Sequence, residues 1–291
     1  MSLQDADLPA WTEKLGIPGI VDVHTHFMPP AILAKVWAYF DSAGPLLGRA
    51  WPVTYRGSDE ERVAQLRAMG VKRFSALSYA HKPGVAEFMN EWTGEFAAST
   101  PDALHSATFY PEPEAATYVP KLIADGVEVF KAHVQVGDFA PNDPLLEPVW
   151  AALAESGTPI VLHAGSGPAP GTFTGPAGVA DVLSRHPDLA LIIAHLGMPE
   201  ISEFLELAET CANVRLDTTM AFVDFWGLPI PDGVVPRLAA LQDKILFGTD
   251  FPNIPYAYAH QVEVLERLDL GDDWLRSVLW HNGAELFGVA A

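Results

Sequence analysis

The sequence predicts a (β/α)8 barrel with a segment inserted after its first strand, and three observations point there. Short runs rich in β-branched and aromatic residues alternate with longer amphipathic stretches along the whole chain. Several of the short runs (IVLH, ALIIAH, ILFGTD) are almost continuously apolar and end in a polar residue, as strands covered on both faces do. The 291 residues, 49% hydrophobic and 19% charged, suffice for one such barrel with a buried core.

Eight strands are expected, at Gly19–His26, Arg73–Tyr79, Leu104–Tyr110, Val127–Val134, Pro159–His163, Leu189–His195, Val214–Met220 and Ile245–Asp250. Helices are expected at Asp59–Met69, Pro144–Ser156, Pro176–Ser184, Glu200–Cys211, Pro236–Leu241 and Asp272–Phe287. The first of these opens on acids and is followed by Gly70, and the second is stopped by Gly157. No GxGxxG follows the first strand, which argues against a dinucleotide-binding sheet. The rhythm breaks once, at Phe27–Ser58, where Trp37, Tyr39, Phe40, Trp51 and Tyr55 stand among glycines and prolines. This segment reads as an inserted lid or small subdomain, with an ordinary helix bearing core aromatics as the equal alternative. No tandem repeat or linker marks a second domain, so residues 1–291 are expected to form one.

Seventeen Lys and Arg against 37 Asp and Glu leave a net charge of −20. Nucleic acid and anionic membranes demand a basic face, so neither is expected as a partner. A lone cysteine, Cys211, allows no intrachain disulfide and is most simply a small buried residue. The acidic opening MSLQDADLPAW does not read as a secretory leader, and no apolar run approaches a membrane span. A cytoplasmic protein is the expectation.

The candidate chemistry lies at strand ends. In DVHTH, residues 22–26, His24 and His26 are two apart and share one face of a strand, where two imidazoles can hold one cation. IVLHAG ends the fifth strand in His163, LIIAHLG ends the sixth in His195, and ILFGTDFP ends the eighth in Asp250. Each alone has a bland reading: a core histidine for His163 or His195, a helix cap for Asp250. In a closed parallel barrel, however, the C-terminal strand ends converge on one cavity, and a joint metal site is the better reading. VFKAHV adds Lys131 and His133 on one face of the fourth strand. His105 sits at the wrong end of its strand for chemistry. His186 and His260 fall in a loop and a helix.

This set, with the GTDFP segment (Gly248–Pro252) and the closing HNGAELFG (His281–Gly288), resembles the amidohydrolase superfamily. The finer similarity is to its amidohydrolase-2 branch, which includes aminocarboxymuconate-semialdehyde and resorcylate decarboxylases. The resemblance runs from about Gly19 to Phe287. It implies His24, His26, His163 and Asp250 as metal ligands and His195 as the proton-handling residue beside the metal. It implies one divalent ion with Lys131 uncarboxylated, the alternative being two ions bridged by a carboxylated Lys131, and a homo-oligomer. Three histidines and a carboxylate suit zinc, with manganese the alternative. Lys131 and His133 are then substrate-pocket residues, and Arg49 and Arg56 of the inserted segment are candidates to contact a small-molecule substrate. The leading expectation is metal-assisted hydrolysis of an amide, ester or lactone, with Asp250 as base. Nonoxidative decarboxylation of a small (hydroxy)carboxylic acid is the nearest rival, and a barrel that binds a ligand or metal without catalysis is the third reading.

Overall fold

A computed structural model describes residues 2–227 and 229–290; Met1, Leu228 and Ala291 lie outside the described residues. Among the described residues the strands are β1 (Ile20–Asp22), β2 (Val71–Ser75), β3 (Ala103–Leu104), β4 (Ser106–Thr108), β5 (Val129–His133), β6 (Ile160–His163), β7 (Leu191–Ile193), β8 (Val214–Asp217) and β9 (Ile245–Leu246). They fall inside or beside the eight expected segments. The third expected strand is interrupted at His105, whose carbonyl accepts from Glu128 N (2.8 Å) and whose amide donates to the Glu128 carboxylate.

The chain divides into two compact units, Met1–Phe74 with Thr218–Ala291, and Ser75–Asp217. In the first, β1 pairs with β2 in parallel, Val21 opposite Arg73 and Asp22 opposite Phe74. Val23 N donates to Phe247 O (2.9 Å), which ties the start of the HxH segment to the run that continues β9. Val278 O receives Phe247 N, and Asn282 Nδ2 donates to Ile245 O (2.7 Å), so the HNGAELFG helix fastens the same run from behind. The expected terminal helix is present as two pieces, Asp272–Arg276 and Asn282–Leu286, joined by a π-helical turn at Ser277–His281.

In the second unit β4, β5, β6, β7 and β8 lie side by side, and the registered pairs from β4 to β8 are all parallel. β6 is buried along its whole length, as its apolar run predicts. Behind it Phe109 and Trp150 meet edge to face at 5.4 Å. The helices at Glu147–Ser156, Pro176–Arg185 and Ile201–Thr210 alternate with these strands where the amphipathic pattern requires them.

The helices Leu8–Leu15, Ala86–Ser99 and Ala115–Ala124 were not expected from the pattern, whereas Pro30–Ser42 is the helix offered as the alternative for segment 27–58 and Tyr258–Glu266 is the helix expected around His260. Asp59–Ala68 is capped one residue earlier than its acids suggest. Ser58 Oγ accepts from Glu61 N, and the Glu61 carboxylate accepts from Ser58 N at 2.8 Å. Cys211 caps the end of Ile201–Thr210 and is half-buried, not fully enclosed. No helix among the described residues is long and apolar enough to cross a membrane.

Segment 27–58 consists of helix Pro30–Ser42, a short turn of helix at Gly44–Leu47, and a return without helix or strand. Its aromatics pack on the loop after β9: Trp37 Nε1 donates to Asn253 Oδ1 (3.0 Å) and Trp51 Nε1 to Asn253 O (2.6 Å). Tyr55 lies 4.9 Å from Phe251, and Thr54 N donates to Ile254 O (2.9 Å).

Candidate metal centre

In the first unit the chemistry is held where the segment after β1 meets the segment after β9. Both strands end before their polar residues because those residues leave the ladder. Asp250 has a left-handed backbone (φ 73°), a conformation that costs a residue with a side chain about 1 kcal/mol or more and recurs at functional sites. Its amide donates to His24 O (2.8 Å), and His26 N donates to Phe251 O (2.7 Å). Asp250 Oδ1 consequently stands 2.8 Å from His26 Nε2 and 3.4 Å from His24 Nε2. His24 is 0% exposed and His26 4%. One carboxylate oxygen between two buried imidazole nitrogens is a donor set that fits a divalent cation.

Asp22, the first residue of DVHTH, is fully buried and supports this cluster. Its carboxylate accepts from His24 N (3.1 Å), Thr249 Oγ1 (2.7 Å) and Tyr258 OH (2.9 Å). It thereby binds the backbone of the HxH segment to that of the Asp250 segment. Burial first, then the Asp22 charge, raises the Tyr258 phenol well above its ordinary range, so it stays a donor. Burial and the Asp250 charge likewise raise Tyr256. The sequence reading missed the role of Asp22, although the acid stands in the motif itself, on the face shared by His24 and His26.

In the second unit three histidines are gathered. His133 and His163 are register partners on β5 and β6, and their rings stack at 3.9 Å. The His195 ring lies 4.6 Å from His163, and Tyr79 lies 5.2 Å from His133. His163 Nε2 is 2.9 Å from Gly167 O. A carbonyl can only accept, so Nε2 carries the proton and the lone pair is left on Nδ1, the form a metal ligand needs. Lys131, two residues before His133 on the same face, is 0% exposed, set opposite Thr108 on one side and Val161 on the other.

His195 reaches its place by a route the strand pattern does not describe. β7 stops at Ile193, and Ile192 pairs with Val161, so alternation would carry the His163 face on to Ala194. A left-handed turn at His195 (φ 57°) and Leu196 (φ 52°) re-aims the imidazole. Asp217, the acid that ends β8, holds this turn by accepting His195 N at 2.8 Å. Gly197 (φ 74°) closes it, with Phe204 where a Cβ would stand. Asp217 is a second supporting residue absent from the sequence reading; a polar residue ending an apolar strand was its signal.

The two arginines of segment 27–58 differ. Arg56 forms an ion pair with Asp41 and lies 5.4 Å above the Trp37 ring. Arg49 lies 5.1 Å above the Phe225 ring and has no ion pair among the described residues. His186 bonds the Glu147 carboxylate at 3.0 Å and His260 stands in helix Tyr258–Glu266, so neither joins the clusters above.

Comparison with known proteins bears on this arrangement. No curated protein matches the chain. Among solved structures, it is similar to an uncharacterized TIM-barrel protein from Bordetella bronchiseptica, at 21% identity and a TM-score of 0.73, covering 93% of this chain and 98% of that one. A dihydroxybenzoic acid decarboxylase from Polaromonas sp., with bound manganese and the inhibitor 2-nitroresorcinol, matches at 16% identity and a TM-score of 0.65, covering 94% and 98%. A probable 2-pyrone-4,6-dicarboxylic acid hydrolase from Acinetobacter baumannii, with citric acid bound, matches at 15% identity and a TM-score of 0.57, covering 93% and 99%. The family model described as Amidohydrolase matches residues 21–289. The chain therefore belongs to the amidohydrolase family, and its fold class is that family's α/β barrel.

Proposed function

We propose that this protein is a metal-dependent hydrolase of a small amide, ester or lactone. His24, His26, His163 and Asp250 would hold one divalent ion, with His195 moving protons beside it. The observation that carries the reading is Asp250 Oδ1 set against both imidazoles of the HxH pair. In a (β/α)8 barrel the C-terminal strand ends open on one mouth. The family model spans residues 21–289, which supports reading the chain as one catalytic barrel.

When bound, a divalent ion supplies Lewis acidity toward the substrate carbonyl and lowers the pKa of a water molecule. Zinc suits the three-histidine, one-carboxylate set; the manganese of the Polaromonas decarboxylase supports that ion as the alternative. Asp250 takes the proton of the attacking water, whose oxygen bonds to the carbonyl carbon. His195 gives a proton to the departing nitrogen or oxygen as its bond to that carbon breaks. Gly167 keeps His163 in one tautomer, and the stacked His133 fixes the plane of its ring. Lys131, His133 and Arg49 would be substrate contacts. Arg56 is the weaker contact of the two arginines because Asp41 already neutralises it.

Nonoxidative decarboxylation is the second reading, favoured by a specific observation. Such chemistry needs a cation for the substrate carboxylate, and Arg49 is a guanidinium with no ion pair among the described residues. The test is metal analysis of the purified protein, then a screen of the metal-loaded enzyme on lactones and amides against hydroxybenzoate-type acids. Ring-opened or cleaved product without CO2 supports hydrolysis; CO2 release overturns it in favour of the second reading. A protein that holds no metal and takes none up overturns both and leaves a binding barrel.

A further inference from the structure

We infer that Asp5 is a positioning residue for the candidate metal centre, acting through Tyr55, Tyr258 and Asp22 on the segments that carry His24, His26 and Asp250. The inference rests on the proposed reading only in taking those segments to hold a metal. All of these residues belong to the first unit.

Helix Tyr258–Glu266 begins without a cap of its own. The first amides of a helix have no acceptor within it, and the side chain of Ala257, at the N-cap, offers none. His260 N donates to Ala257 O (2.9 Å), which leaves Tyr258 N and Ala259 N to be met from elsewhere. Tyr258 N donates to the Tyr55 hydroxyl (2.5 Å), and Ala259 N donates to Asp5 Oδ1 (2.8 Å). The Tyr55 hydroxyl donates in turn to Asp5 Oδ2. A carboxylate 254 residues away along the chain therefore supplies the missing cap, with Tyr55 as the bridge. Its negative charge also suits the positive end of the helix.

The capped residue is the one that reaches the candidate centre. The Tyr258 hydroxyl donates to Asp22 Oδ2 (2.9 Å), which also accepts from Thr249 Oγ1 (2.7 Å), while Asp22 Oδ1 accepts from His24 N (3.1 Å). Thr249 Oγ1 accepts from Phe251 N (3.1 Å), so one hydroxyl spans Asp250, and the Tyr55 ring lies 4.9 Å from Phe251. Asp22, Thr249 and Tyr258 are each 0% exposed, whereas Asp5 is half-buried. Buried hydrogen bonds in series fix one another, so order imposed at Asp5 is passed inward. Removing Asp5 loosens the first turn of the helix, and with it the phenol that holds Asp22.

Two substitutions separate this route from a plain stabilising cap. Asp5→Ala removes the carboxylate; Tyr258→Phe removes the hydroxyl that meets Asp22 but leaves both helix amides with their acceptors. Zinc titration of the full-length apoprotein should show about tenfold weaker binding in Asp5→Ala, the lower end for groups that orient a ligand. In the Tyr258→Phe background the same change should alter zinc affinity by less than about twofold, because the route is already cut. Hydrogen exchange without metal reads the link independently. The His24 and Phe251 amides should exchange about tenfold faster in Asp5→Ala. A lowered melting temperature with unchanged zinc affinity and unchanged exchange would reduce Asp5 to a helix cap and overturn the inference. An equal loss of affinity in both backgrounds would also overturn it, by excluding Tyr258 as the route. Faster exchange in a protein that takes up no metal would instead overturn the proposed function and leave the link standing.

Discussion

His133 and His163 face each other in register on adjacent parallel strands, and their imidazoles stack at 3.9 Å with 15° between the ring planes. In a parallel pair, residues in register project to the same face, so this contact follows from the β5–β6 pairing itself. His163 is also bonded through Nε2 to the Gly167 carbonyl, which helps fix the orientation of its ring. His133→Ala should free that ring to turn and weaken metal affinity about tenfold, the lower end for groups that orient a ligand. His133→Phe, which restores a stacking partner, should recover most of it. Metal titration of the two variants checks this; equal loss in both would mean that His133 acts through its nitrogens and not its plane.

His163→Ala and Asp250→Ala should each yield a folded protein with sharply lower metal content and activity. Each removes a polar group from a strand end and not from the apolar core behind it, so circular dichroism should be unchanged while metal analysis shows the loss. A crystal structure with either side chain away from a metal held by His24 and His26 would end the assignment.

His195→Asn is chosen because Asn tolerates the left-handed backbone that His195 adopts at φ 57°. The turn held by Asp217 should therefore survive. Metal occupancy is expected to stay nearly full while kcat falls about a hundredfold or more, with one limb of the pH–rate profile lost. Unchanged activity would make His195 structural, and lost metal would make it a ligand.

Tyr258 joins Asp22 to the rest of the first unit, and its pKa is raised well above 10.0 by burial and by that carboxylate. Tyr55, hydrogen-bonded to Asp5, is raised for the same reasons. A raised folded pKa means the folded state keeps protons that the unfolded state releases. The stability these phenols contribute is thus present below pH 10.0 and declines as pH rises past it. Urea unfolding at pH 8 and in the alkaline range should show the decline, and Tyr258→Phe should lessen it. The same variant should cost about 1–3 kcal/mol at neutral pH, because Asp22 loses a buried donor. A flat dependence on alkaline pH would refute the coupling.

Arg56→Ala should raise KM for an anionic substrate less than Arg49→Ala does, since Asp41 already pairs with Arg56. Neither should change metal content. Steady-state kinetics on the substrate found by the screen decides the order; a larger effect at Arg56 would mean that the ion pair opens when substrate binds.

The sequence by itself determined the alternation of strands and helices, because two-sided burial writes continuous apolar runs and one-sided burial writes a helical period. It also marked His24, His26, His163, His195 and Asp250, since polar residues that end several strands of a parallel barrel converge on one mouth. Only the tertiary structure decided how those residues are presented. The left-handed turns at His195 and Asp250 are held by acceptors far along the chain, the Asp217 carboxylate in one case and the His24 carbonyl in the other. The tautomer of His163 depends on a loop carbonyl, and the stack with His133 on the register of two strands. That Arg56 is ion-paired depends on where Asp41 falls after helix Pro30–Ser42 has folded. Burial patterns are local and repeat along a chain, so they can be read from it. Register, tautomer and ion pairing arise between segments that the chain brings together only on folding.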